Sequence, residues 1–76
     1  MTTKMLRDIF SERLSDIMSD RGLTAKALAD LSGLSKYTID NYRSLSGHSE
    51  LPNGTTLYLL ADALDVSIDY LLGRTD

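Results

Sequence analysis

The chain reads as an all-α domain of five short helices, and three observations predict it. Apolar residues recur at spacings of three and four along most of the sequence, the period of a helix with one buried face. Short segments open with a repeated device: an apolar residue, a hydroxyl cap, and a second apolar residue about four positions on that closes over the first. Finally, the 76 residues contain no cysteine. Neither a disulfide framework nor a thiolate zinc site is available, so packing must supply the stability.

The elements follow in order. Leu6, Ile9, Phe10, Leu14, Ile17 and Met18 lay one apolar stripe along a first helix, with Thr3 as its cap and Gly22 as its stop. Thr24 caps a second helix in which Leu28 staples back to Leu23, ending near Ser32-Gly33. Leu34, Ser35 and Ile39 repeat the device and open a third helix, from about Lys36 to Ser44. From Leu45 to Gly54 neither helical nor strand period survives, and the segment reads as a loop. Asn53-Gly54 before Thr55-Thr56-Leu57-Tyr58 resembles a hairpin turn. Against that, Leu57, Leu60, Ala61 and Leu64 keep the spacing i, i+3, i+4, i+7, so Asn53 caps a fourth helix over about 54–64 that Asp65 closes in a left-handed conformation. Val66, Ser67, Ile68 and Leu71 then form a short fifth helix that stops at Gly73.

A chain of 76 residues buries only about 60% of its unfolded surface. One domain over residues 1–76 is therefore expected. The longest apolar run, Leu57 to Ala61, falls far short of the ~18 residues of a membrane span, and the polar N-terminal stretch lacks a signal-peptide core. A soluble, cytoplasmic protein with no membrane partner is the expectation. The net charge of −3 looks unfavourable for nucleic acid, but its distribution matters more than its sum. Residues 21–48, with Arg21, Lys26, Lys36 and Arg43 against Asp30 and Asp40, carry +2. Residues 49–76, with Arg74 against Glu50, Asp62, Asp65, Asp69 and Asp76, carry −4. The middle third is the electropositive one.

That middle third also holds the informative junction. Two helices crossing steeply within a short turn need a small residue where they touch, a residue free to take positive φ at the corner, and a bulky plug behind. Ala29, Gly33 and Ile39 supply these, with Leu28, Leu34 and Tyr42 in the remaining apolar positions. The pattern resembles a helix-turn-helix over about residues 24–44. With it the chain as a whole resembles the small five-helix, lambda-repressor-like DNA-binding domains of bacterial and phage regulators, the Cro/C1 or Xre type. Gly22 to Ala29 is similar to that family's second-helix opening, and Gly33 to Ile39 to its turn and recognition-helix start. Pro52, Leu57, Ala61, Ala63, Leu64, Val66, Ser67 and Leu71 are similar to its last two helices.

The resemblance implies a sequence-specific, DNA-binding transcriptional regulator, a repressor acting on double-stranded DNA. In this family the third helix lies in the major groove and the second aims its N-terminus at a phosphate. By position, Lys36, Tyr37 and Asn41 match base-reading sites. Lys36 donates to guanine, Asn41 pairs with adenine, and Tyr37 meets a thymine methyl or a phosphate. Asp40 joins them on the outward face, where it accepts from a cytosine amino group. Thr24, Ala25 and Ser44 match positions beside the backbone, and Lys26, Arg43 and His48 add groups that reach phosphates. The chain departs from the family pattern at Ala25, where Gln is usual, and at Arg43, where Glu is usual. The loop after the third helix is also longer.

Other readings are weaker. Ser46, His48, Ser49 and Glu50 are too close in sequence to form a nucleophile, base and orienter, and no enzyme activity is expected. Asp62, Asp65 and Asp69 straddle a helix break, so neither a metal nor another cofactor is expected, and no small-molecule ligand either. Tyr58, Leu59, Tyr70 and Leu72 remain after the core is assigned. They predict a homodimer contact, the alternative being that they cover the first helix within one protomer. A functional reading of another class also stands: a protein-interaction module on the same fold, an antitoxin-like or anti-repressor partner.

Overall fold

Residues 2–44 and 51–75 are described by a computed structural model. Within them lie five helices and no strand: α1 (Thr3–Asp20), α2 (Ala25–Ser32), α3 (Lys36–Arg43), α4 (Gly54–Leu64) and α5 (Ile68–Leu71). The phosphate contact expected of His48 falls outside the described residues. None of the described helices is long and apolar enough to cross a membrane.

Each helix starts on the same chemistry. Side-chain oxygens of Thr2, Thr24, Ser35, Asn53 and Ser67 accept from the main-chain N–H three residues on, at 2.9–3.1 Å. Each bond satisfies a donor that the first turn leaves without an intrahelical partner, stabilising the start by about 1 kcal/mol. One expectation is corrected: Thr2, not Thr3, caps α1. Helix ends are equally regular. Leu23 N–H donates to Met18 O at 2.8 Å, Val66 N–H to Ala61 O at 3.0 Å and Arg74 N–H to Asp69 O at 2.9 Å. These are the wide bonds of a Schellman end, closing α1, α4 and α5. Asp65 adopts φ 55° there, as expected of the residue that closes α4.

Caps set the boundaries, and burial sets the arrangement. Phe10, Leu14 and Met18 of α1, Leu28 of α2, Ile39 of α3, Leu60 and Leu64 of α4 and Leu71 of α5 are fully buried in one cluster. Each such side chain stabilises the fold by about 1.5–3 kcal/mol relative to exposure. Helix α1 packs on α3 and α5, α2 on α3 and α4, and α4 on α5. The α2–α3 pair thus rests on α1 and α4 from behind, leaving its other face outward.

Candidate nucleic-acid interface

The α2–α3 corner is built as its spacing predicts. Gly33 takes φ 79° and donates its N–H to Ala29 O at 2.9 Å, ending α2. No Cβ fits that left-handed φ without strain, which accounts for the glycine. Ser32, buried, spans the corner: its hydroxyl donates to Leu28 O at 2.7 Å and accepts from Leu34 N–H at 3.3 Å. Ser35 then caps α3 two residues after the corner.

Helix α3 has eight residues, too few to be stable alone in water. Its neighbours hold it. Ile39 is its one buried residue and is fully enclosed. Tyr42 sets its ring edge-on to Phe10, with centroids 5.7 Å apart and planes at 77°. The strongest anchor is polar and escaped the sequence reading: Arg7 of α1, which is buried. Its Nη2 donates to Asn41 O and Ser44 O, both at 3.0 Å. Its Nη1 donates to Ser11 Oγ and, at 3.4 Å, to Tyr42 O, which also accepts from Ser11 Oγ at 2.7 Å. One cation therefore caps the last carbonyls of α3, where the helix dipole is negative.

With Ile39 and Tyr42 turned inward, Lys36, Tyr37, Asp40 and Arg43 are exposed, while Asn41 and Ser44 are half-buried at the margin. Tyr37 is 78% exposed, a large aromatic ring that the fold leaves almost uncovered. Lys36 Nζ stands 2.6 Å from one Asp40 carboxylate oxygen, and Arg43 Nη1 3.9 Å from the other. Asp40 thus ties both cations of this face together, and the face keeps a formal +1. The geometry suits a groove: one polar ridge of donors and acceptors on a helix fixed from behind.

Beside α3 lies the start of α2, with Thr24 and Lys26 exposed. The first-turn N–H groups of α2 have no intrahelical acceptor beyond the Thr24 cap, which makes this end a favourable place for an anion. Ala25 is placed differently from Thr24 and Lys26. Only 5% of it is exposed, because it shares the buried face of α2 with Leu28 and Ser32. Its methyl belongs to the core, and only its main-chain N–H is left for a phosphate. Among the residues expected at a dimer contact, Tyr58 is 61% exposed, while Leu59 and Leu72 are half-buried. Tyr70 instead packs against the core and lies under Arg13 of α1, whose guanidinium is 4.8 Å from the ring centroid. That contact sets its ring beside α1 within the protomer, while the residue as a whole is half-buried, like Leu59 and Leu72. Among the described residues no group of three or more His, Asp or Glu side chains is arranged to hold a metal.

Residues 13–76 match the family model of the Cro/C1-type HTH DNA-binding domain, a stretch that takes in α2 to α5 and most of α1. The chain belongs to this family. The Cro/C1-type assignment accounts for the five-helix architecture and identifies α2–α3 as its helix-turn-helix. A curated relative, the uncharacterized HTH-type transcriptional regulator YobD of Bacillus subtilis (strain 168), is 34% identical over 68 residues. The alignment takes in 90% of this chain but spans only 58% of the relative's length. Arg7 and Ser11 fall outside the segment matched by the Cro/C1-type model.

Proposed function

We propose that this protein is a sequence-specific, DNA-binding transcriptional regulator, a cytoplasmic repressor that binds a palindromic operator as a homodimer. The observation that carries the reading is the outward face of α3 in a Cro/C1-type domain: Lys36, Tyr37, Asp40 and Arg43 exposed on a helix immobilised through Ile39 and Arg7. In the major groove Lys36, Tyr37 and Asn41 meet base edges, and Asp40 accepts from a cytosine amino group. Thr24, the Ala25 main chain, Lys26, Arg43 and Ser44 meet phosphates and fix the register without carrying sequence information. The relative described as a transcriptional regulator supports the same role.

Dimerisation follows from size as much as from surface. A single module of this kind buries about 600–1,000 Å² on DNA, little for tight specific binding. Two copies related by a two-fold axis present their recognition helices about 34 Å apart, one helical turn of duplex, and so read a palindrome. Exposed Tyr58, with Leu59 and Leu72, supplies the apolar contact.

Fluorescence anisotropy with the wild type and two variants tests this. The wild type binds one duplex far more tightly than random DNA. Lys36→Ala and Asn41→Ala each lose about 1–3 kcal/mol of that preference and keep the native circular dichroism. Equal, salt-suppressed binding to every duplex contradicts the reading. Binding to none at low salt does too, and favours a protein partner instead.

A further inference from the structure

Arg7 is a buried cation on a helix that no proposed DNA contact uses, and its partners are specific. One nitrogen, Nη2, donates at 3.0 Å to the main-chain oxygens of both Asn41 and Ser44. These residues carry the proposed adenine reader and a proposed phosphate contact at the far end of α3. The other terminal nitrogen binds Ser11 Oγ, and Ser11 in turn donates to Tyr42 O at 2.7 Å. Three carbonyls of the last turn, those of Asn41, Tyr42 and Ser44, are thus referenced to α1, which packs on α5 as well as α3 and cannot shift without disturbing the core.

We infer that Arg7, with Ser11, is a positioning residue for DNA reading: it fixes the main chain beneath Asn41 and Ser44, so that the C-terminal half of α3 meets the groove in one register. This rests on the proposal that α3 reads DNA. Bidentate recognition of a base tolerates little displacement, and its discrimination of about 1–3 kcal/mol corresponds to roughly fivefold to 150-fold in binding. The planar guanidinium suits the task, since its N–H groups form a rigid fork that a lysine ammonium does not reproduce. Burial explains why a cation is tolerated here: it is surrounded by carbonyl and hydroxyl acceptors and lies at the negative end of a helix.

The test uses Arg7→Met and Arg7→Lys, studied well below their own melting temperatures. Backbone ¹⁵N relaxation is read first. In Arg7→Lys the amide order parameters of residues 41–44 fall from about 0.85 toward 0.6, while those of 37–39 keep their wild-type values. Arg7→Met shows the same pattern more strongly, and should it fail to fold, Arg7→Lys carries the measurement. Binding is read second. Both variants bind the preferred duplex about tenfold or more weakly, bind random DNA within about threefold of wild type, and lose the further effect of Asn41→Ala. A residue of merely structural value lowers the melting temperature but leaves the order parameters and the specific-to-random ratio unchanged, and that result overturns the inference. If the wild type prefers no duplex, the base-reading proposal is what fails. The relaxation data then still decide whether Arg7 positions this segment.

Discussion

Asp40 offers the most discriminating perturbation, because changing it should strengthen binding rather than weaken it. Its carboxylate stands 2.6 Å from Lys36 Nζ and 3.9 Å from Arg43 Nη1, and the three side chains are 44%, 64% and 40% exposed, respectively. Folding should scarcely notice its loss. An exposed i, i+4 pair with the cation on the N-terminal side contributes at most about 0.5 kcal/mol. Electrostatics toward DNA should change a good deal more. Asp40→Asn raises the formal charge of the α3 outer face from +1 to +2 and releases Lys36 and Arg43 from a competing anion. If one more phosphate is neutralised per protomer, the log–log salt slope steepens by about 0.9, and by about 1.8 for a dimer. At 0.1 M salt that corresponds to about eightfold tighter binding of random duplex per protomer. Anisotropy titrations between about 50 and 200 mM salt measure both quantities. The selective site should gain less, since any contact with a cytosine amino group is lost. Unchanged random-duplex affinity and slope would show that this face does not approach phosphates, and the orientation proposed for α3 would fall.

Three further outcomes are expected. Ile39→Ala removes the one buried side chain of α3 and should destabilise the domain by about 2–5 kcal/mol, against roughly 4–11 kcal/mol for a chain of this length; urea unfolding measures it, and a loss under about 1 kcal/mol contradicts the packing described. Gly33→Ala and Gly73→Ala separate backbone strain from crowding. A Cβ at Gly33, at φ +79°, meets nothing within 4 Å and should cost about 1–2 kcal/mol, whereas one at Gly73, at φ +76°, would stand 2.5 Å from Ile9 Cγ2 and should cost more; equal costs in thermal melts oppose this. Tyr58→Glu places a charge on the exposed tyrosine of α4 and should convert a dimer to a monomer in sedimentation with little change in melting temperature; an intact dimer moves the contact elsewhere.

Much of the fold was legible because its signals are local. Cap, staple and left-handed stop lie within a few residues of one another, and Thr24, Ser35, Asn53, Ser67 and Asp65 behave as their chemistry predicts. The Thr2–Thr3 pair shows the limit: two adjacent threonines offer the same hydroxyl, and the chemistry of a cap does not rank them. Ala25 was placed by family position, although its spacing to Leu28 and Ser32 already put it on the inner face of α2. Arg7 is the more instructive case. The sequence alone assigned it no role, yet Arg7, Ser11, Leu14 and Met18 occupy one face of α1 and all are buried. Periodicity could thus have exposed a polar pair on a core-facing stripe. It could not name the partners, which lie 31–37 residues away and are main-chain carbonyls that carry no sequence signature.

The net charge of −3, unfavourable for DNA as a sum, also takes on a definite meaning. The outward face of α3 keeps a surplus of only one positive charge, because Asp40 lies between its two cations. Weak attraction to the phosphate backbone in general, with discrimination left to base contacts, is what such a face should deliver.

Selection of bound duplexes from a random library by the purified protein is the direct test of sequence reading by α3. Enrichment of one palindromic sequence whose half-site centres are about one helical turn apart is expected, with enrichment lost for Asn41→Ala. A library that emerges without a common sequence, from protein that is folded and free of aggregates, would contradict it.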